Sequence, residues 1–176
     1  MAYWQSRGLR GSELESIINT TNELYRTKNL ALIHKIPTPI TPIKIDKEKR
    51  VITLAYFEQK STVDYIGVAQ EIAICFDAKE TNGQSLPLAN IHKHQLEFMA
   101  DFVKQGGVAF FIIHFKKHES YYLLPYNVVV KYYDDAQKGG RKSIPHSEFL
   151  ESYPIFIEGG AYLNYLKPLQ NYIDSL

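Results

Sequence analysis

The chain has 176 residues, 45% of them apolar and 22% charged, with a formal net charge of +1; this is the profile of a globular protein forming one domain, residues 1–176, around its own core. No apolar run approaches the roughly eighteen residues that cross a bilayer, and the start MAYWQSRGLRGSELE has no signal-peptide core, so no membrane contact and a cytoplasmic location are expected. Near-neutral charge excludes a uniformly basic nucleic-acid binder, and the single cysteine, Cys75, excludes an internal disulfide.

The elements alternate in the manner of an α/β or α+β protein. Ser12 can cap a first helix, with Glu15 completing an S-x-x-E box, and Leu14, Ile17, Ile18 and Leu24 give that helix an apolar stripe. LALIHK (30–35) reads as a strand. In PTPITPIKIDKEKR the prolines Pro37, Pro39 and Pro42 forbid a helix, so an extended arm is expected with its charged tip at Asp46–Arg50. The chain returns through the strand VITLAYF (51–57). Two more strands, KSTVDYIG and EIAICFDAKET, precede a helix over Asn90–Gln105. Leu96, Met99 and Val103 share one face of that helix, and Gly106-Gly107 stops it. VAFFIIHF (108–115) is a central strand and SYYLLP (120–125) its neighbour. Tyr126–Gln137 is read as helical despite Val128-Val129-Val130. GGRKSIP (139–145) is read as a loop, followed by helices at His146–Ser152 and Tyr162–Ile173.

Chemistry concentrates in the two middle strands. Asp64 is followed by twelve residues and then Asp77-Ala78-Lys79. Alternation along a strand points Asp77 and Lys79 the same way, about 7 Å apart along the backbone, and would put Thr62 and Asp64 on one face. Acid-x-Lys on a strand is often no more than an exposed cross-strand pair. A carboxylate within Ile72-Ala73-Ile74-Cys75-Phe76 is harder to explain so, because burying it is costly unless it is paired or holds a metal. Two acids and an ammonium suit metal-assisted phosphodiester hydrolysis.

Charge is unevenly spread. Between Arg26 and Lys60 stand eight basic residues (Arg26, Lys28, Lys35, Lys44, Lys47, Lys49, Arg50, Lys60) against three acids (Asp46, Glu48, Glu58), a local +5 in a chain otherwise at −4. A polyanion facing this arm and a solvated hairpin tip are both open readings. His92-x-His94 lacks the partners of a zinc site; these two are read as capping a helix or approaching phosphate, His34 as facing DNA, and His114 as a satisfied core residue. The tyrosines Tyr121, Tyr122, Tyr126, Tyr132 and Tyr133 are read as core or dimer packing, with a base-stacking platform as the alternative.

The stretches TTN-x-x-Y (20–25), HKIPTPI (34–40), KSTVDYIG (60–67), FDAKET (76–81), PL-x-NIHKHQ (87–95) and GRKSI (140–144) occur in order. Together they resemble RecU, the Holliday-junction resolvase family of low-GC Gram-positive bacteria and their phages, a branch of the PD-(D/E)xK nucleases. The resemblance runs from about Arg7 to Tyr165. It implies an α/β, restriction-endonuclease-like mixed central sheet flanked by helices, with a protruding two-stranded stalk at 36–58. It also implies a homodimer, dependent on Mg²⁺ with Mn²⁺ as a possible substitute, that nicks four-way DNA junctions symmetrically during recombination and repair, leaving 5′-phosphate and 3′-hydroxyl ends. Some members also bind the strand-exchange protein RecA.

By the same resemblance, family metal ligands fall on Thr62, Asp64, Asp77 and Gln95, the catalytic lysine on Lys79, and an acid that approaches the site on Glu15. DNA contacts are expected from Arg7, Arg10, His34, Lys35, Lys44, Lys47, Lys49, Arg50, Lys60, Arg141 and Lys142. The chain departs from the family at Asp77, where most members carry glutamate; the shorter carboxylate would shift the metal or the backbone. It also lacks the long polar N-terminal tail of larger members, which is expected to weaken general DNA affinity. A same-fold nuclease acting on another DNA substrate, and a non-catalytic junction-binding or recombinase-modulating protein, are the alternatives. The intact acid-acid-lysine set speaks against the last.

Overall fold

The computed structural model describes residues 13–57, 62–150, 152–159 and 162–176. Helix α1 (Glu13–Thr27) buries Leu14, Ile18, Thr21, Asn22 and Tyr25 along one stripe, the spacing of a helix packed on a sheet. Acids Glu13 and Glu15 in its first turn and Arg26 in its last complement the helix dipole. Ser12 of the expected cap lies outside the described residues.

The chain then enters β1 (Ala31–Lys35), the hairpin β2 (Ile40–Asp46) and β3 (Val51–Phe57), β4 (Tyr65–Ala69) and β5 (Ile72–Thr81). Gln70 and Glu71, which turn β4 into β5, both have positive φ (47° and 71°), as a two-residue hairpin turn requires. Next come β6 (Ser85–Pro87), a 3₁₀ turn (Leu88–Asn90), α2 (Lys93–Lys104), β7 (Val108–Phe115), β8 (Ser120–Pro125) and α3 (Tyr126–Gln137). The chain ends with β9 (Ser143–Pro145), α4 (Ser147–Leu150), β10 (Tyr153–Ile155), β11 (Ile157–Glu158), β12 (Tyr162–Leu163) and α5 (Leu166–Ile173).

The main sheet runs β1-β4-β5-β7-β8-β10. Its strands pair antiparallel except β5 and β7, whose parallel pairing needs the crossover that α2 supplies. One face carries a core of Leu14, Ile18, Tyr25, Phe76, Phe110 and Tyr165. The other carries Cys75, Met99, Phe111, Phe115, Val129 and Phe149. With both faces covered, β7 is apolar along nearly its whole length. This is the mixed sheet flanked by helices that was expected. β2 and β3 pair only with each other and form the two-stranded projection. No described helix is long and apolar enough to cross a membrane.

Several boundaries differ from the expectation. Thr62 and Asp64 precede β4 in irregular backbone, so strand alternation does not place them. α2 begins at Lys93, because Leu88–Asn90 form a separate 3₁₀ turn. Val103 is 41% exposed; only Leu96 and Met99 of its expected face are buried. Gly106, at φ 85°, ends that helix in a conformation that L side chains rarely adopt. The expected loop 139–145 closes in β9, which pairs with β6. α4 spans only Ser147–Leu150, and α5 starts at Leu166 because Tyr162 and Leu163 pair with β11.

Candidate active site

The two acids are brought together by a reciprocal pair of backbone hydrogen bonds. The Asp64 N–H donates to Asp77 Oδ1 at 3.2 Å, and the Ala78 N–H donates to Asp64 Oδ2 at 3.0 Å. Each carboxylate is thus oriented by the backbone that carries or follows the other. The strand β5 alternates as the sequence implied: Phe76 enters the α1-side core, while Cys75 packs on the α2 side, the face that Asp77 and Lys79 share. Lys79 Nζ approaches Asp77 Oδ2 to 2.5 Å.

Asp77 is fully buried. Burial pushes its carboxyl up to about 7, with the Lys79 ammonium opposing and the Asp64 carboxylate reinforcing the rise. Despite the ion pair, Oδ2 has no hydrogen-bond partner of suitable geometry among the described residues. A buried carboxylate oxygen without a well-aimed donor, next to a second carboxylate, is suited to a divalent cation. The donor set therefore fits the metal that the resemblance implies, although no cluster of three or more His, Cys, Asp or Glu side chains able to hold one occurs among the described residues. Burial, with Asp77 adding to it, pushes the Cys75 thiol up to about 12, leaving Cys75 an inert apolar residue.

Gln95, at the start of α2, reaches this pair, and its orientation is defined. The His92 N–H donates to Gln95 Oε1 at 3.1 Å, and Gln95 Nε2 donates to Asp77 Oδ1 at 2.8 Å. Rotating the amide to turn its oxygen towards the acids would set an NH₂ against the His92 N–H, two donors face to face. The side chain therefore meets Asp77 as a donor. Thr62 is half-buried two residues ahead of Asp64. Glu15 forms an ion pair with Lys35 at the end of β1. The backbone there adjoins the first acid, since Lys35 pairs with Tyr65 and the Ile36 N–H donates to the Asp64 carbonyl at 2.8 Å, while α1 packs on the face of the sheet opposite to Asp77 and Lys79.

The basic residues fall into separate groups. Lys44, Lys47, Lys49 and Arg50 are exposed on the β2–β3 hairpin, and Asp46 Oδ1 accepts the N–H groups of Glu48 and Lys49 in its turn. His34 and Lys35 are exposed at the end of β1. Arg141 and Lys142 are exposed just before β9, and Lys142 shares a cleft of about 480 Å³ with His92 and Lys93. Arg7, Arg10 and Lys60 lie outside the described residues. His114 is not the satisfied core residue expected. It is buried and stacked on Tyr121, but its Nδ1 has no hydrogen bond among the described residues and lies 3.7 Å from Glu80. The tyrosines pack against the core, Tyr122 fully and Tyr121, Tyr126, Tyr132 and Tyr133 in part.

Two groups near the site escaped the sequence reading. Glu80, on the opposite face of β5 from Asp77 and Lys79, accepts the Leu14 N–H at 3.1 Å and pairs with Lys116 at 2.8 Å. It thereby fastens the start of α1, and with it Glu15, to β5. Burial works to raise its pKa, but Lys116 and the helix N–H hold its carboxyl below the ordinary value. The second group is Lys117, His118 and His146 at the β7–β8 turn and the start of α4; their one sequence signal was the basic turn KKH.

A family model described as Recombination protein U matches residues 9–171. The chain is 44% identical over 172 residues to the Holliday junction resolvase RecU of Limosilactobacillus reuteri, covering 95% of this chain and 82% of that one. It is 42% identical over 174 residues to that of Pediococcus pentosaceus, covering 96% and 87%. Among solved structures, the Holliday junction resolvase Hjc of Archaeoglobus fulgidus aligns with a TM-score of 0.46 at 12% identity, over 80% of this chain and 92% of that one. On the extent of the family match and of these identities, the chain belongs to the RecU family.

Proposed function

We propose that the protein is a divalent-metal-dependent endonuclease that resolves four-way DNA junctions as a homodimer, with Mg²⁺ as the working ion and Mn²⁺ as a substitute. The observation that carries this reading is the reciprocally hydrogen-bonded Asp64–Asp77 pair with Lys79 against it, in a chain whose relatives bear the name Holliday junction resolvase.

Asp64 and Asp77 would hold the cation, with the Ala78 carbonyl and the Thr62 hydroxyl as further oxygens, direct or through water. When bound, the ion lowers the pKa of water and polarises the phosphate. The chain's own residues do the rest. Gln95 keeps Asp77 Oδ1 aimed by donating to it. Lys79 neutralises Asp77 at rest, and its ammonium is placed to stabilise charge that builds on the phosphoryl oxygens in the transition state. Water adds to phosphorus, the bond to O3′ breaks and O3′ takes up a proton, so the products are a 5′-phosphate and a 3′-hydroxyl that a ligase can rejoin.

The hairpin supports the choice of substrate and assembly. Its basic tip offers phosphate contacts that read shape and not base edges. Its flanks expose Ile43, Ile45, Leu54, Tyr56 and Phe57, each at least half accessible. Apolar surface of that extent on a two-stranded ribbon calls for a partner, and a second copy of the hairpin provides one with matching chemistry. A two-fold dimer then sets one active site on each of two opposed strands of a junction. Incubation with a labelled static junction and a matched linear duplex, with Mg²⁺ or with chelator, tests the reading. Cleavage of the junction only, and only with Mg²⁺, is expected; equal cleavage of the duplex would point to a general nuclease of the same fold.

A further inference from the structure

We propose that His118 and His146 form a seat for a DNA-backbone phosphate distinct from the scissile one, an inference that rests on the endonuclease reading above. The two imidazoles stack face to face, with centroids 4.0 Å apart and planes within 5° of parallel. His146 is held in place from several sides. Its Nε2 lies 3.2 Å from the Tyr122 hydroxyl and 3.4 Å from the Ser120 hydroxyl, and the Phe115 ring meets it edge-on at 4.7 Å. In the tautomer in which Tyr122 donates to Nε2, the ring proton resides on Nδ1, and that N–H is the donor left for a ligand.

His118 is exposed above this fixed ring and follows exposed Lys117, while the lysine before that, Lys116, is committed to Glu80. Two parallel imidazoles repel one another once both are protonated, so an anion touching both is what allows the pair to carry charge. Burial, and then the neighbouring His118, hold the His146 imidazole below its ordinary pKa; a phosphate would relieve the second of these effects. Exposed Glu119, in the same turn, and Glu148, on α4, are the nearby acids in sequence.

The seat lies on the catalytic side of the sheet. Lys79 pairs with Ile113, and Ile113 pairs with Tyr122, in one row across the strands. Tyr122 packs into the α2-side core, the face from which Asp77 and Lys79 project. Two strand spacings put Tyr122 about 10 Å from Lys79. That is less than the roughly 12 Å width of a major groove, so the histidine pair is within the reach of a duplex arm held at the acids. The catalytic residues cut one phosphate, and this pair would hold another of the same arm in register.

The test follows the imidazole signals of His118 and His146 by nuclear magnetic resonance in the full chain, with chelator present. A four-way junction is added in one titration and inorganic phosphate in another. Both rings are expected to shift in step with junction binding, at concentrations far below those at which inorganic phosphate moves them. His118→Gln, at an exposed position that leaves the fold alone, and the double variant with His146→Gln should reduce the log–log salt slope of junction binding by about 1. If the junction binds and both signals stay still, the seat is wrong while the endonuclease reading stands. Shifts with inorganic phosphate but not with the junction would mean a free-anion site and would also overturn the proposal. If the parent protein neither binds nor cuts the junction, both readings fall.

Discussion

Asp77 is the residue on which the proposed chemistry turns, and its environment makes a signed prediction. Its carboxyl is pushed up to about 7 in the fold, chiefly by burial, above its value in the unfolded chain. Ionising it therefore costs folding free energy, and the chelated protein should lose stability as pH rises from about 4 through about 7. A cation held by the ionised pair reverses that loss. At one hundred times its dissociation constant, Mg²⁺ should add about 2.7 kcal/mol, seen in calorimetry as a higher melting temperature at pH 8 and little change at pH 5.5. Asp77→Asn should abolish the increment. An increment equal at both pH values would remove Asp77 from the metal site. Strand periodicity was enough to place Asp77 and Lys79 on one face. The orientation of Gln95 was not legible, because it is set by the His92 backbone N–H, a group that every non-proline residue carries.

At the level of elements, the hairpin joins the sheet where the first acid sits. The Ile36 N–H donates to the Asp64 carbonyl, so the base of the arm and the segment that carries the first acid share a hydrogen bond. Replacing residues 41–56 by a short glycine linker leaves that bond and the main sheet in place. The replacement should lower junction affinity at least tenfold while shifting the melting temperature by only a few degrees. Junction affinity unchanged in a binding assay would mean that the arm does not engage DNA. The arm was readable because three prolines and a basic tip leave few alternatives. The three-residue strands β6 and β9 were not, since a run so short carries no period and its partner lies far away in sequence. The helix α3 spans the expected residues despite its β-branched run, and Val129 of that run is fully buried.

For the whole molecule, the near-neutral total conceals a segment, residues 26–60, at +5 against −4 for the rest of the chain, and the hairpin within that segment also exposes apolar residues. Ile45→Lys with Leu54→Lys should leave the fold intact and convert a dimer to a monomer in sedimentation equilibrium at micromolar concentration; a dimer that persists would move the interface off the hairpin. Reading a dimer from the sequence relied on family resemblance, because apolar residues in a strand look the same whether a core or a second subunit covers them.

The account's central claim is that two such sites act together on opposed strands of one junction. A supercoiled plasmid that extrudes a cruciform tests this most directly, when treated with the protein in excess and Mg²⁺ and sampled over time. Paired, symmetric nicks made within the life of one complex release linear plasmid from the outset. Asp77→Asn should give neither product. Accumulation of nicked circles ahead of any linear product, or cleavage on plasmid without the cruciform, would contradict the account.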